Sequence, residues 1–368
     1  MKLRRFANID HIEQHTSLKQ FKRWRQERIR RLKLKDYSFT VPNVEPDIAY
    51  LEKNRQQPSL TWVGHSTFFI QFGGLNIITD PVWSTKMAFQ KRLSPPGIKV
   101  EDVPPVDVVL ISHSHYDHLN INSLRKLIGT RQLLVPAGLG PKLRKKGFIN
   151  VKELHWWESV LINGVKFTFV PSQHSTRRNP WDTNSSHWGG FVIGRPSTRS
   201  AKIVSRFGGK PKTSDKGSEN AAVRKEIASA AESISTETHP FFNELNRTER
   251  PILTDSSTIY FAGDSGYFQG FKEIGRRFSI EVALLPIGAY EPEWFMGPQH
   301  ITPEQALQAF DDLEAKWFVP MHYGAFKLAD DTPREALDRL EAARRKRCIE
   351  DKRIIVLPHG ETWRLCGK

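Results

Sequence analysis

Residues 108–120 read Val-Val-Leu-Ile-Ser-His-Ser-His-Tyr-Asp-His-Leu-Asn. The first four are apolar and mostly β-branched, which is typical of a fully buried strand. Four potential metal ligands follow within six residues, namely His113, His115, Asp117 and His118. Burying imidazoles and a carboxylate at the end of a strand is costly unless a partner compensates them, and a divalent metal is such a partner. The stretch therefore predicts a metal site at the end of this strand.

Side chains alternate along an extended chain, so His113 and His115 point the same way. Asp117 and His118 lie where the chain must turn, and they can address a second ion. The simpler interpretation is a pair of ordinary histidines and an aspartate that caps a helix. One isolated histidine would favour that interpretation, but the spacing His-x-His-x-Asp-His after a hydrophobic strand favours metal binding.

A short apolar strand followed by a metal-binding side chain recurs three times later in the chain, before His174, Asp264 and His322. If these strands belong to one sheet system, their ends converge on one site. Imidazoles and a shared carboxylate form a suitable ligand set for two zinc ions. The predicted metal ligands are His113, His115, Asp117, His118, His174, Asp264 and His322.

Turn and capping signals outline the surrounding elements. Gly73-Gly74 and Asn163-Gly164 each separate two apolar runs, which predicts two tight hairpins, since these residues readily adopt positive φ angles. Thr302 before Pro303 predicts the start of a helix. The apolar run 354–357 predicts a last strand.

Composition sets the broader limits. The 368 residues suffice for one large domain or two small ones. Cys348 and Cys366 lack the spacing of a metal or redox motif, which favours a reducing compartment. The chain shows neither a transmembrane run nor a signal peptide, so we expect a cytoplasmic location. The oligomeric state stays open, and a dimer is compatible with the sequence.

Residues 1–57 are predicted to form a basic N-terminal extension. From Ser17 to Lys35, nine Lys or Arg residues stand against one acid, Glu27, and interleaved apolar residues form a helical stripe. This helix either packs its stripe on the main domain, lies on an anionic membrane surface, or follows nucleic acid phosphates. Residues 195–256, rich in Ser, Lys, Gly, Thr and Glu, are predicted to be a flexible surface insertion with a helical piece at 221–234.

The ligand motif resembles that of the metallo-β-lactamase superfamily. Its local sequence is most similar to the branch that contains the N-acyl-phosphatidylethanolamine-hydrolysing phospholipase D. The resemblance spans about residues 58–365 without the insertion, and the basic extension departs from it. The segments that carry it are 61–67, 79–81, 112–119, 263–267, 298–300 and 303–304.

The resemblance implies that residues 58–368 form a catalytic domain with an αββα sandwich, in which helices flank two mixed β-sheets. One ion would be held by His113, His115 and His174, the other by Asp117, His118 and His322, with Asp264 bridging the two. Two zinc ions per chain are expected, and manganese or iron would suit the same ligands.

By the same resemblance, the chain would be a phospholipase D-type phosphodiesterase of lipid metabolism, in which a metal-bridging hydroxide attacks phosphorus. The expected catalytic residues are Asp117, Asp264 and His300. His300 would donate a hydrogen bond to a phosphoryl oxygen or else serve only at the helix entry. Asp80 and His65 would orient metal ligands by hydrogen bonds to them.

Nearby aromatic residues, among them Trp181, Trp188, Trp294 and Phe295, would form either a wall for acyl chains or part of the core. One alternative function keeps the metal site but acts on a lactone, an amide or a small phosphodiester. Another is a non-catalytic or nucleic-acid-directed protein that uses the basic extension, and the intact ligand set argues against it. The expected partner is thus a phospholipid or another phosphodiester, with peripheral membrane contact through residues 17–35.

Overall fold

The computed structural model describes residues 5–10, 18–32, 34–87, 90–196, 239–242 and 257–364. The strands in these ranges are β1 Ser59–Gly64, β2 Thr67–Phe72, β3 Leu75–Thr79, β4 Lys86–Met87, β5 Gln90–Lys91, β6 Val108–Leu110, β7 Gln132–Pro136, β8 Val151–Leu154, β9 Ser159–Ile162, β10 Val165–Val170, β11 Gly190–Gly194, β12 Ile259–Phe261, β13 Val282–Pro286, β14 Trp317–Met321 and β15 Thr362–Arg364. The helices are α1 Leu18–Leu32, α2 Ile48–Lys53, α3 Ile121–Lys126, α4 Gly140–Arg144, α5 Gly270–Arg277, α6 Glu293–Met296, α7 Pro303–Asp312 and α8 Pro333–Lys346.

The first sheet has the strand order β15-β1-β2-β3-β6-β7-β8. Strands β15, β1, β2 and β3 pair antiparallel, whereas β3, β6, β7 and β8 pair parallel. Gly73 and Gly74 connect β2 to β3 with φ angles of 58° and 82°, which confirms the first predicted hairpin.

The second sheet has the order β14-β13-β12-β11-β10-β9. Its β9 to β12 pair antiparallel, and β12, β13 and β14 pair parallel. The second predicted hairpin is also confirmed, because Asn163 and Gly164 join β9 to β10 with φ angles of 47° and 81°.

The alternation of side chains along β6 explains the layers. Val108 and Leu110 pack into the core that also contains Phe167 of the second sheet. Val109 packs on the opposite face, in a cluster with Leu124 of α3. Each such buried side chain contributes roughly 1.5–3 kcal/mol to folding. Helices therefore cover the outer faces of two sheets that meet in the middle, which confirms the predicted αββα sandwich.

The capping signal predicted the start of α7 correctly, whereas the apolar run at 354–357 predicted a strand that does not form. Thr302 accepts a hydrogen bond from the backbone of Gln305, and Gln305 returns one, so α7 begins at Pro303 as predicted. The predicted strand at 354–357 is wrong: Ile354 forms only an isolated bridge with Phe318. These residues are buried, but the chain leaves the sheet before Pro358, and β15 supplies the last strand instead.

The predicted insertion differs in part from a simple surface loop. Within the insertion, Phe241 and Phe242 are buried in the core between and around the sheets. The remainder of the insertion from residue 197 to 256, apart from 239–242 and including the predicted helical piece, lies outside the described residues.

Among the residues described, helix length and apolar content fall short of what a membrane-crossing segment needs.

Candidate metal centre

The directions of four strands explain why distant residues meet. Both β10 and β12 run antiparallel to β11, so they share one direction, and β14 follows that direction through β13. His174, Asp264 and His322 follow the carboxyl ends of these strands, and the His113 segment follows β6 of the facing sheet. Polar groups at the carboxyl ends of such strands converge at one edge. All seven predicted ligands fall into two adjacent groups there.

The first group contains His113, His115, His174 and Asp264, whose candidate ligand atoms lie within 4.8 Å of one another. Nδ1 of His115 lies 2.9 Å from Nε2 of His113 and 3.2 Å from Nε2 of His174. Oδ2 of Asp264 lies 3.8 Å from each of those two Nε2 atoms.

The second group contains Asp117, His118 and His322, joined by His65. Nε2 of His322 lies 3.2 Å from Nε2 of His118 and 3.4 Å from Oδ2 of Asp117. Nε2 of His65 lies 3.1 Å from the same carboxylate oxygen. The structure thus brings His65 into contact with the predicted ligands.

Asp264 lies between the groups. Its Oδ2 is 3.1 Å from Nε2 of His118, and its Oδ1 is 3.1 Å from Nε2 of His322. Oδ1 is buried, and among the described residues no contact to it, the one with His322 included, has the geometry of a hydrogen bond. Buried carboxylate oxygens are rarely left so, and a cation between the two groups would satisfy this one.

Two of the predicted imidazole ligands use Nδ1 for a hydrogen bond outside the centre, which leaves Nε2 to face it. Nδ1 of His174 donates to the carbonyl oxygen of Gln299 at 3.1 Å, which leaves Nε2 of the neutral ring with a lone pair toward the first group. Nδ1 of His118 lies 2.7 Å from Oδ2 of Asp80, which leaves its Nε2 facing Asp264. Asp80 also accepts from the backbone N–H of Ser112 at 2.7 Å. Asp80 therefore orients His118, as predicted.

Burial and mutual repulsion act on the first group. Burial, followed by repulsion from His118 and other imidazoles, holds the pKa of His113 well below its ordinary value. Burial likewise lowers the pKa of His115, and the pKa of His174 lies well below the ordinary value. These rings are neutral at pH 7, the state in which histidine binds a metal.

Opposite charges act on the second group. Burial alone would raise the pKa of Asp264, but the neighbouring His118 and His322 outweigh it and hold that pKa well below its usual range. Burial alone would lower the pKa of His322, but Asp264 and Asp117 raise it to about 9. In the protein without metal, a protonated His322 thus supplies the positive charge beside Asp264 and Asp117 that a metal ion would otherwise supply.

His300 lies beside the centre, with Nδ1 3.9 Å from Oδ2 of Asp264. Burial lowers the pKa of His300 to about 4, so its ring is neutral at pH 7. The backbone N–H of His300 donates to the carbonyl oxygen of Met296. The residue therefore serves at a turn before α7 and also presents a neutral imidazole to the site.

A cavity of about 430 Å³ opens beside the centre. A second cavity of about 580 Å³ shares Tyr116 with it and contains both leucines and lysines. The first is lined by Ser84, Lys86, Met87, His115, Tyr116, Asp117 and Asn120. No motif in the sequence marks Lys86 or Met87, which form the short strand β4.

The aromatic residues named from the sequence do not line either cavity. Trp188 is buried in the core. Phe295 stacks on Trp24 of α1 at 5.5 Å, and Trp294 contacts Arg23 of the same helix. Trp181 is 74% exposed. The contacts of Trp188, Trp294 and Phe295 favour the packing interpretation of these residues.

Comparison with known proteins agrees with this geometry. The sequence model of the β-lactamase superfamily domain matches residues 75–202 and 251–323, more than half of the chain. The chain belongs to the metallo-β-lactamase superfamily. The superfamily domain thus contains all seven predicted ligands, and the match breaks off within the insertion.

Individual members of the metallo-β-lactamase superfamily refine this placement. N-acyl-phosphatidylethanolamine-hydrolyzing phospholipase D 1 of Caenorhabditis elegans is 27% identical over 354 residues, covering 90% of this chain and 82% of the relative. A UPF0173 metal-dependent hydrolase of Methanopyrus kandleri is 25% identical over 314 residues, covering 83% and 98%. Igni18, a metallo hydrolase of Ignicoccus hospitalis, matches in structure with a TM-score of 0.53 and 22% identity, covering 85% of this chain and all of that one. The chain is a metal-dependent hydrolase close to the phospholipase D branch of the superfamily.

Proposed function

We propose that this enzyme is a phosphodiesterase of the N-acyl-phosphatidylethanolamine phospholipase D type that binds two zinc ions per chain. The observation that carries the proposal is that His115 and Asp117 line a cavity that shares Tyr116 with a second cavity, and that both cavities have mixed apolar and cationic linings. A phospholipid has both an anionic phosphodiester and long apolar chains, so it matches such a surface better than a purely polar substrate does.

The ligand set supports a pair of ions. His113, His115 and His174 would hold one ion, and Asp264, whose oxygens face both groups, would be shared. The second ion would be held by Asp117, His118 and His322. Imidazole-rich sites with carboxylates suit zinc, and manganese or iron suit the same atoms. When bound, such ions make water nucleophilic at neutral pH and stabilise negative charge on the attacked group.

The protein's own groups then act on the substrate. His300 is neutral at pH 7, so its imidazole N–H is suited to hydrogen-bond a phosphoryl oxygen rather than to hold an extra proton. Lys86, in the wall of the first cavity, offers an ammonium group to the phosphodiester. Asp117 would bind metal, and its position in that same wall directs the scissile group toward the centre.

The second cavity extends the surface available to a lipid. Leu119, Leu139 and Leu143 form an apolar floor, and Lys145 and Lys146 lie at its edge. Since Tyr116 lines both cavities, a substrate with its phosphate at the ions can place a chain across Tyr116 into this groove. A small soluble substrate would use only the first cavity.

The basic helix α1 supports contact with a membrane surface. Its Trp24 packs on Phe295, as the interpretation of a stripe packed on the domain expects. Phe21 and Ile29, however, are 48% and 57% exposed on a helix rich in Lys and Arg. This combination favours peripheral binding to anionic lipid, by which a cytoplasmic enzyme would reach its substrate.

The test is an assay of the full-length protein on vesicles that contain N-acyl-phosphatidylethanolamine. We expect about two zinc ions per chain and release of phosphatidic acid that is lost in His113→Ala. Full activity after removal of both ions would overturn the metal mechanism. Turnover of lactones, amides or small phosphodiesters without vesicles, together with inactivity on lipid, would instead support the alternative function, which the archaeal relative of unspecified substrate also fits.

A further inference from the structure

Residues 5–10 lie against the metal centre although they are remote from it in sequence. Oδ1 of Asn8 accepts a hydrogen bond from the backbone N–H of His174 at 3.0 Å, across 166 residues. The same oxygen accepts from the indole Nε1–H of Trp188 at 3.0 Å. That indole also donates to the carbonyl oxygen of Ser172 at 3.1 Å, so Asn8 is held at the start of the loop that carries His174.

Phe6 fastens this N-terminal segment to the other side of the same loop. Its backbone N–H donates to the carbonyl oxygen of Asn184 at 2.9 Å, and its ring stacks on His187 with centroids 4.5 Å apart. The side-chain oxygen of Asn184 accepts in turn from the backbone N–H of Thr176 at 3.0 Å. Residues 6–8 therefore contact the loop that carries His174 both at this histidine and after it.

The hydrogen bonds of His174 divide into two kinds. Its ring is oriented through Nδ1 by the carbonyl oxygen of Gln299, while its backbone is held through the N–H by Asn8. His174 is fully buried, and buried backbone donors are almost always paired. Loss of the Asn8 oxygen would leave this N–H to find a new acceptor by moving the loop, and Nε2 would move with it.

We propose that Asn8 is a positioning residue of the metal centre, whose side-chain oxygen sets the backbone of His174 so that Nε2 reaches its ion. The inference rests on the proposed role of His174 as a metal ligand. It makes the N-terminal segment, which precedes the residues matched by the superfamily domain, a working part of the site.

Zinc or cobalt binding to the metal-free full-length protein tests the proposal without any assay of turnover. We expect Asn8→Ala to weaken the binding of one of the two ions by about 10-fold, as is usual when a ligand loses a supporting hydrogen bond. The visible absorption of the cobalt form should change with it. Asn8→Asp keeps an oxygen at the same position, so it should restore the affinity. Ile9→Ala, which changes a neighbouring side chain that is 47% exposed, is the matched control.

Wild-type affinity in Asn8→Ala, failure of Asn8→Asp to restore it, or an equal loss in Ile9→Ala would each overturn the positioning role. His174→Ala separates this outcome from failure of the site itself. If His174→Ala loses one ion while Asn8→Ala keeps both, only the role of Asn8 is wrong. If His174→Ala also keeps both ions at wild-type affinity, the proposed metal site is wrong.

Discussion

Nε of Arg28 lies 3.3 Å from Oδ1 of Asp330, an aspartate with only 1% of its side chain exposed. This ion pair fastens α1 to the segment that follows β14. Trp24 and Phe295 stack beside it, and Nε1 of Trp294 donates to Oε2 of Glu27 at 3.0 Å. Helix α1 of the N-terminal extension is thus bound to the domain by specific, partly buried contacts.

The first prediction concerns that ion pair. Arg28→Ala should lower the free energy of unfolding by about 2 kcal/mol, because it leaves the charge of Asp330 buried with a partner removed. We expect less than for a fully buried pair because 22% of the Arg28 side chain is exposed. Urea unfolding measures the change. Arg25→Ala, on the exposed side of the same helix, should leave stability unchanged, and an equal loss there would contradict the explanation.

The second prediction concerns the residue behind His118. Asp80→Asn should weaken metal binding by about 10- to 100-fold, because the amide no longer attracts the Nδ1 proton of His118 as a carboxylate does. Asp80 has a φ angle of 31°, and asparagine tolerates this left-handed region, so the backbone should remain in place. Competition with a chelator of known affinity measures the effect. Unchanged binding would show that the carboxylate does not orient the ring.

The third prediction concerns acid stability. Burial, followed by repulsion from Arg92, lowers the pKa of His359 to about 3, below its ordinary value of 6.5. Between these values the unfolded chain takes up a proton that the folded chain refuses, so stability is complete above pH 6.5 and falls on acidification. The slope from this group is about 1.4 kcal/mol per pH unit.

His359→Asn should therefore reduce the pH dependence of the free energy of unfolding between pH 7 and pH 5. Denaturant unfolding of both metal-free proteins at several pH values measures the difference, in which the contributions of the other buried histidines cancel. The variant will be less stable at pH 7 because it loses the packing of the ring on Trp62. Parallel curves for the two proteins would show that His359 does not contribute.

The fourth prediction concerns membrane contact. The double variant Phe21→Ser with Ile29→Ser should bind anionic vesicles about tenfold more weakly, because two apolar side chains no longer enter the lipid interface. Co-sedimentation with vesicles measures binding. Leu161→Ser, which changes an apolar residue 60% exposed on β9, should bind as the wild type does. Equal binding by all three proteins would exclude α1 as the membrane contact.

Local signals in the sequence identified the candidate ligands because the segments that carry them follow strands of strong apolar character. Val108 to Ile111 marks a buried strand whatever its neighbours are, and His113 and His115 follow it at fixed spacing. Thr302 and Pro303 mark the start of α7 in the same way. Such signals depend on a few adjacent residues, so they can be recognised without knowledge of the tertiary structure.

Signals of burial without a turn or a cap were less reliable. Residues 354–357 are buried but do not form a strand, because pairing depends on where a neighbouring strand lies. Trp188 and Phe295 were equally consistent with a substrate wall and with packing, and only the position of α1 and of the core distinguishes these.

By itself, the sequence determined the identity of seven candidate ligands, since these follow from local pattern and residue chemistry, and the resemblance of its motifs to a known family implied the superfamily and the αββα class. Only the tertiary structure decided that the N-terminal segment supports the centre, that Trp24 faces inward and Phe21 outward, and that Lys86 borders the cavity. These relationships join residues far apart in the chain. A hydrogen bond such as that between Asn8 and His174 leaves no periodicity or spacing in the sequence, because its geometry exists only once the sheets have brought both partners to one edge.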